Sequence, residues 1–208
     1  TAVADSLKQL ADELDKLPAD DFDGLTKVLS EIVRGHKQVL FEGNGYSEEW
    51  HAEAAERGLP NNKSTVDALP ALTTAKAKKV FAKFGVLSER ELASRVEILW
   101  ERYVKVSNIE ANCALDMAST MILPATAAYL GLLAGASSSR GIASISQRVS
   151  DLADALVDAI AALERAQHHA HEAGSVQAEA KVFATSVIPA QAALRGREIA
   201  YVADPLDA

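Results

Sequence analysis

The sequence has almost no cysteine and no apolar segment at its amino terminus. Cys113 is the only cysteine among 208 residues, so the chain cannot form an internal disulfide and lacks the framework of a small secreted protein. We expect Cys113 to be a small buried residue in a helix. Residues 1–16 are amphipathic and charged, whereas a signal peptide has an apolar centre.

Long apolar runs and an excess of positive charge are also missing. The longest weakly polar stretch, Met121–Ala136, contains Pro124 and is shorter than the ~20 residues that a bilayer span needs. Lys and Arg total 21 against 29 Asp and Glu, which gives a net charge of -8. An acidic chain repels nucleic acid and anionic lipid on average. We therefore predict a soluble, cytoplasmic protein that binds neither nucleic acid nor membranes.

Motifs for nucleotide binding and catalysis are absent from the sequence. Gly43-Asn44-Gly45 lacks the lysine and further glycines of a phosphate-binding loop, and no Gly-x-Ser-x-Gly, His-Glu-x-x-His or Cys-x-x-Cys string occurs. The Asn-Gly pair instead predicts a turn, because both residues tolerate positive φ.

One pair of histidines is the best metal candidate. His168 and His171 share one face of a predicted helix, with Glu164 one turn earlier, and two imidazoles with a carboxylate can bind zinc. Both histidines also fall in the last predicted turn of that helix, where the helix dipole favours cationic side chains. We prefer this structural role to a metal site.

What the chain does have is helical periodicity. Hydrophobic residues make up 49% of it, and they recur three and four positions apart, without the alternation typical of strands. We predict an all-α protein with small helices and Gly/Pro-rich loops over residues 1–87, followed by an antiparallel three-helix bundle over residues 88–208. The predicted bundle seams are Leu92, Val96, Leu99, Tyr103, Val106, Glu110, Cys113 and Met117; Val149, Leu152, Leu156, Ile160 and Leu163; and Val176, Ala180, Phe183, Val187, Ala190 and Leu194.

Helix ends are indicated by capping residues. A first helix is expected over residues 2–17. The residues expected to begin a helix are Ser47, Thr73 or Thr74, Ser88 with Glu91, and Ser144 with Gln147. Gly85 is expected to end a helix.

Other segments are predicted to interrupt or link helices. Residues 39–41 could form either a short strand or the frayed end of a helix. Pro124 should kink or locally break its helix, residues 135–141 form a flexible link, and Pro205 marks the end of the last helix.

Several ordered strings resemble the region that follows the catalytic barrel in type III glutamine synthetases. The likeness extends over about residues 36–130, and residues 140–208 match only as helices. The strings are Phe41-Glu-Gly-Asn-Gly-Tyr-Ser-Glu-Glu-Trp50 with Arg57-Gly-Leu-Pro-Asn61, then Ser64-Thr-Val-Asp-Ala-Leu-Pro-Ala-Leu72, then Phe84-Gly-Val-Leu-Ser-Glu-Arg-Glu-Leu92, then Asn108-Ile-Glu-Ala111 and Ile122-Leu-Pro-Ala125. Motif residues without an assigned role are Asn44, Gly45, Tyr46, Ser47, Trp50, Arg57, Thr65, Asp67, Pro70, Arg95, Asn108 and Glu110.

The resemblance implies a role as part of a larger enzyme. That family ligates ammonia to glutamate with ATP and Mg or Mn, through residues of an upstream barrel that this sequence does not contain. It implies no catalytic or cofactor-binding residue here. The implied partners are the chain's own catalytic barrel and neighbouring subunits of a homo-oligomeric ring. The alternative is a free-standing helical protein-interaction module, and the start at Thr1 within a helical pattern leads us to expect a fragment.

Overall fold

The structure, a computed structural model, describes residues 1–135 and 138–203, with side chains described up to residue 196. Every regular element in these ranges is helical, and no strand occurs in them, which confirms the all-α prediction. The chain divides into two compact units, Thr1–Ala93 and Ser94–Ala208, and each is described by itself. The helices are α1 Ala2–Leu14, α2 Phe22–Gly35, α3 Glu48–Glu56, α4 Thr65–Ala68, α5 Ala75–Lys83, α6 Glu89–Met117, α7 Leu123–Ala134, α8 Arg140–His171, α9 Val176–Val182 and α10 Ile188–Ala203.

Side-chain caps begin most helices of the first unit. Ser47, Ser64 and Thr74 each accept a hydrogen bond from a backbone N–H of the following helix, which satisfies donors that have no partner inside the helix. Gly85 follows α5 with φ of 58°, as expected for a terminating glycine. The caps predicted at Ser47 and Thr74 are therefore confirmed.

Two local predictions in the first unit need correction. Helix α1 ends at Leu14, earlier than predicted, because residues 15–17 form a turn before Pro18. The segment for which a strand or a frayed helix was expected is instead a 3-10 turn at Lys37–Val39, followed by extended backbone at Leu40.

The two units differ in how well the predicted capping boxes hold. Ser88 and Glu91 exchange both bonds of the motif, with Ser88 N donating to Glu91 Oε2 at 2.8 Å and Glu91 N donating to Ser88 Oγ at 3.3 Å. The box predicted at Ser144 and Gln147 is wrong, because α8 begins at Arg140 and both residues lie inside it. The predicted link 135–141 lies partly outside the described residues, and Pro205 lies entirely outside them.

The predicted seam of α6 is out of phase with the buried face. Leu92 and Val96 are buried as expected, but the buried face then continues through Trp100, Val104, Ser107, Ala111 and Ala118. The residues predicted to continue the seam are largely exposed instead: Leu99, Val106, Glu110, Cys113 and Met117. The prediction was wrong because α6 has apolar residues on two faces, and the face that is buried contains Trp100 and Val104 rather than Val106 and Met117.

Helix α8 packs against α7 and against α10 in the second unit. Its buried residues include Val149, Leu156 and Leu163, which confirms the second seam. The third seam is confirmed by the buried side chains of Ala180, Phe183, Val187 and Leu194. The residues of α8 follow the 3.6-residue period of an amphipathic helix.

A polar contact is buried along the same face of α8. Gln167 is 7% exposed and lies four residues after Leu163. Its Nε2 donates to Asn108 Oδ1 at 2.9 Å and to Asn112 Oδ1 at 2.8 Å, both on α6. Because these bonds require one axial alignment of the two helices, they favour one register over the alternatives.

Two proline-containing segments have the same structure. A π-helical segment, Ala118–Ile122, precedes Pro124, and a second, Phe183–Val187, precedes Pro189. The hydroxyls of Thr120 and Thr185 donate to the carbonyl four residues earlier, at 2.7 Å and 2.9 Å. The wider turn absorbs the missing proline N–H and the bulk of its ring, so the α-helix is locally interrupted before Pro124, as predicted, while the helical run continues into α7.

An ion pair joins α1 to α5 within the first unit. The Lys83 ammonium on α5 donates to the Asp5 carboxylate on α1. This hydrogen bond, together with the positive charge of Lys83, holds the pKa of Asp5 below its usual value.

We predict that Gln167→Leu lowers the free energy of unfolding by about 1–2 kcal/mol, because the two hydrogen bonds donated by the Gln167 amide are lost and the half-buried Asn108 oxygen loses its donor. Gln147→Leu, on the exposed face of the same helix, should change it by less than about 0.5 kcal/mol. Urea denaturation of both variants provides the measurement. Equal stability of the two variants would contradict a structural role for Gln167.

Candidate functional site

An aromatic stack joins the first family string to α3. The rings of Phe41 and Trp50 lie 4.2 Å apart between centroids, with an interplanar angle of 26°. The Arg57 guanidinium lies 5.4 Å from the Trp50 ring centroid, which is within the range of a cation–π contact. We call Phe41, Trp50 and Arg57 the aromatic clasp.

Arg57 also fixes the backbone before the loop. Its Nη1 donates to the carbonyl oxygens of Leu40 at 2.7 Å and Gln38 at 3.2 Å. Its Nη2 donates to the Glu53 carboxylate one turn earlier in α3. The planar, forked guanidinium suits such multiple bonds better than a lysine would, so the side chain ties residues 38–40 to α3.

The loop between the clasp residues has its own hydrogen bonds. Asn44 Oδ1 accepts from Tyr46 N at 3.0 Å, and the Asn44 carbonyl accepts from Ser47 N at 3.0 Å. Ser47 Oγ then accepts from Trp50 N at 3.4 Å. The predicted turn is present, but positive φ is not its basis, since Gly43, Asn44 and Gly45 all lie outside that region.

Gly43 is constrained by its contact with the Phe41 ring and not by its backbone φ. A Cβ atom at this position would lie 2.8 Å from Cζ of Phe41, whereas a Cβ at Gly45 would meet nothing within 4 Å. The loop therefore passes so close to the clasp that any larger residue at position 43 requires the Phe41 ring to shift. Tyr46 at the tip is 94% exposed, and its neighbours Glu42, Glu48 and Glu49 are also exposed.

The remaining motif residues have local structural roles or exposed positions. Thr65 is the first residue of α4, and Asp67 both donates its backbone N–H to Ser64 Oγ at 3.1 Å and accepts from that hydroxyl at 2.7 Å. Pro70 lies at the start of a 3-10 segment, and its carbonyl accepts from Thr73. Arg95 and Glu110 are exposed on α6, while Asn108 binds Gln167.

The histidine candidates point to different partners. His168 Nδ1 lies 3.5 Å from Glu172 Oε1, and His171 Nδ1 lies 2.9 Å from Glu179 Oε1. His171 also packs edge-on against Phe183. Among the residues that the structure describes, no group of three or more His, Cys, Asp or Glu side chains is arranged to hold a metal ion.

A second apolar face runs along α6 and α7. Its large side chains are Ile98, Val106, Ile109, Met117, Met121 and Leu132, which are between 44% and 77% exposed. Cys113 lies on the same face and is exposed, so the prediction that it is buried is wrong. We call this set of residues the apolar stripe.

The helical run that carries the stripe meets one criterion of a membrane helix. By length and composition, the helical run Glu89–Ala134 could cross a bilayer. The expectation that no segment is long enough for a span was wrong, because it considered only the shorter stretch Met121–Ala136. A single helix of this kind, of whose most apolar window 11% is buried, does not by itself establish membrane contact.

Together these features define an all-helical domain with an ordered, protruding loop and an uncovered apolar helix face. Residues 24–140 match the family model described as the glutamine synthetase C-terminal domain. That match covers more than half of the chain, and the chain belongs to this family.

Known relatives are much longer than the chain. It is 38% identical over 131 residues to the type-3 glutamine synthetase of Dictyostelium discoideum, a match that covers 62% of this chain and 18% of that protein. It is 40% identical over 103 residues to a glutamine synthetase of Butyrivibrio fibrisolvens, covering 50% of this chain and 15% of that protein. A Bacteroides fragilis glutamine synthetase is 33% identical over 131 residues, covering 62% and 18%. The chain thus spans less than a fifth of the length of these relatives.

Two functional features were not identified from the sequence. The partners of Trp50 were not predicted, although the flanking of a glycine turn by Phe41 and Trp50 was a usable signal. Gln167 was missed as well, although it continues the spacing of the second seam.

We predict that Gly43→Ala loosens the loop and Gly45→Ala does not. The new methyl group at residue 43 displaces the Phe41 ring from Trp50 and should cost about 1–3 kcal/mol of unfolding free energy. Amide hydrogen exchange over residues 38–47 should accelerate in Gly43→Ala only. Equal exchange in both variants would contradict the proposed close packing of the loop on the clasp.

Proposed function

We propose that this chain is the non-catalytic C-terminal domain of a type III glutamine synthetase. In this proposal the whole enzyme ligates ammonia to glutamate with ATP and Mg or Mn, and residues outside this chain bind the nucleotide and metal. Family membership and the names of the relatives support it. The short share of each relative that the chain covers is consistent with a part that assists rather than performs the reaction.

The observation that carries an assembly role is the apolar stripe. It lies inside the family match, and its side chains are between 44% and 77% exposed, so each would gain on burial only part of the roughly 1.5–3 kcal/mol of a fully exposed side chain. Several such side chains along one helical run favour an interaction site. The partner in our proposal is the rest of the same enzyme, either the catalytic part or a neighbouring subunit.

A protein partner suits the stripe better than a bilayer. Arg102, Lys105 and Glu110 are exposed on the same helix as the stripe's first residues, and charged side chains at membrane depth are costly. We accordingly propose a cytoplasmic enzyme.

The second candidate function is a free-standing helical interaction module, which the same stripe could serve. The length of the encoded polypeptide distinguishes the two. A catalytic region upstream of Thr1 supports the enzyme domain, and a native start near Thr1 supports the free-standing module.

We predict that Ile109→Asp leaves the fold intact but impairs the whole enzyme. Ile109 is 67% exposed, so the unfolding free energy of the domain should change by less than about 0.5 kcal/mol. Placing a charge in the interface should weaken subunit association at least tenfold, equivalent to about 1.4 kcal/mol, and reduce glutamine formation with it.

The control for this test is Ser144→Asp, which adds the same charge at an exposed position of α8, a helix that carries no stripe residue. Native mass spectrometry and a glutamine assay on both variants provide the measurement. Wild-type assembly and activity in Ile109→Asp would remove the stripe from the proposed interface.

A further inference from the structure

We propose that Tyr46 is an aromatic anchor that inserts into an apolar pocket with a cationic rim, on a neighbouring subunit of the same glutamine synthetase. This inference rests on the proposed function, since it requires a larger enzyme. Within this loop the backbone is held at several points, while the Tyr46 side chain at the tip is 94% exposed.

The loop is organised before any partner binds. Arg57 holds the carbonyls that precede it, Asn44 closes the turn, and Ser47 caps the helix that follows. Binding by a fixed loop avoids most of the entropy cost of ordering a flexible one. The aromatic clasp and these hydrogen bonds therefore order the loop in advance, so that a binding partner does not have to order it.

Tyrosine suits the role of an anchor. Its ring offers a large apolar contact area with few rotatable bonds, and interface residues with the greatest effect on affinity are enriched in Tyr, Trp and Arg. Because Tyr46 protrudes at a loop tip rather than lining a cavity, the complementary surface on the partner must be concave.

The charges around the tip specify the rim of that pocket. Residues 37–57 carry five glutamates against two cations, Lys37 and Arg57, and Arg57 is engaged with Glu53 and with backbone carbonyls. The loop and its flanking residues therefore carry a net negative charge. A complementary partner carries Lys or Arg around an apolar pocket, which gives selectivity and faster association.

The test uses the whole enzyme with Tyr46→Ala, Tyr46→Phe and the double change Glu48→Gln with Glu49→Gln. Subunit dissociation is followed against protein concentration by native mass spectrometry. We expect Tyr46→Ala to weaken association about 30-fold, as for a strong interface residue, and Tyr46→Phe to weaken it less than about fivefold. The double change should flatten the dependence of association on salt.

A second measurement locates the partner directly. Replacing Tyr46→p-benzoyl-phenylalanine and irradiating the assembled enzyme should give a cross-link to a peptide outside residues 1–208 that contains Lys or Arg. Association within twofold of wild type for Tyr46→Ala, or a cross-link only to residues 1–208, overturns the inference.

The Tyr46 anchor and the accessory-domain function can fail separately. If Tyr46→Ala behaves as wild type while Ile109→Asp prevents assembly, the anchor is wrong and the accessory-domain proposal stands. If the encoded polypeptide has no catalytic region, the proposed function is wrong, and the anchor on the same enzyme is wrong with it.

Discussion

Helix α6 and the π-helical segment that follows it carry apolar residues on two faces, and only one of these faces is buried. The buried face uses Trp100 together with small residues such as Ala111 and, in the π-helical segment that follows, Ala118. The larger side chains Ile109 and Met121 are left outside. In the proposed function, the buried face stabilises the second unit and the exposed face meets the rest of the enzyme.

Local sequence signals predicted the local structure well. The caps at Ser47 and Thr74, the exchange between Ser88 and Glu91 and the terminating Gly85 involve atoms within a few residues, so the chain specifies them without reference to tertiary contacts. The phase of the α6 seam could not be obtained in this way, because periodicity identifies an apolar face but not which of two such faces meets the neighbouring helix. The same limit explains the error at Cys113.

The resemblance to type III glutamine synthetases drew attention to residues 41–57. The contacts that form the aromatic clasp and order the loop became known only from the structure. Residues 41, 50 and 57 meet only after α3 has folded back on the preceding segment, so no sequence spacing specifies the Phe41–Trp50 stack or the bonds from Arg57 to the loop backbone. At the prolines, by contrast, a local sequence rule predicts the interruption but not how the helical run continues beyond it. Pro124 and Pro189 each follow a π-helical segment, which lets the run continue past the local interruption.

The central claim is that this domain supports assembly while the chemistry resides elsewhere in the enzyme. The most direct measurement compares glutamine formation from glutamate, ammonia and ATP by the whole enzyme and by purified residues 1–208, together with native mass spectrometry of an enzyme lacking this domain. The account predicts no product from residues 1–208 and incomplete assemblies from the shortened enzyme. ATP-dependent glutamine formation by residues 1–208, in a preparation free of other synthetases, would contradict it.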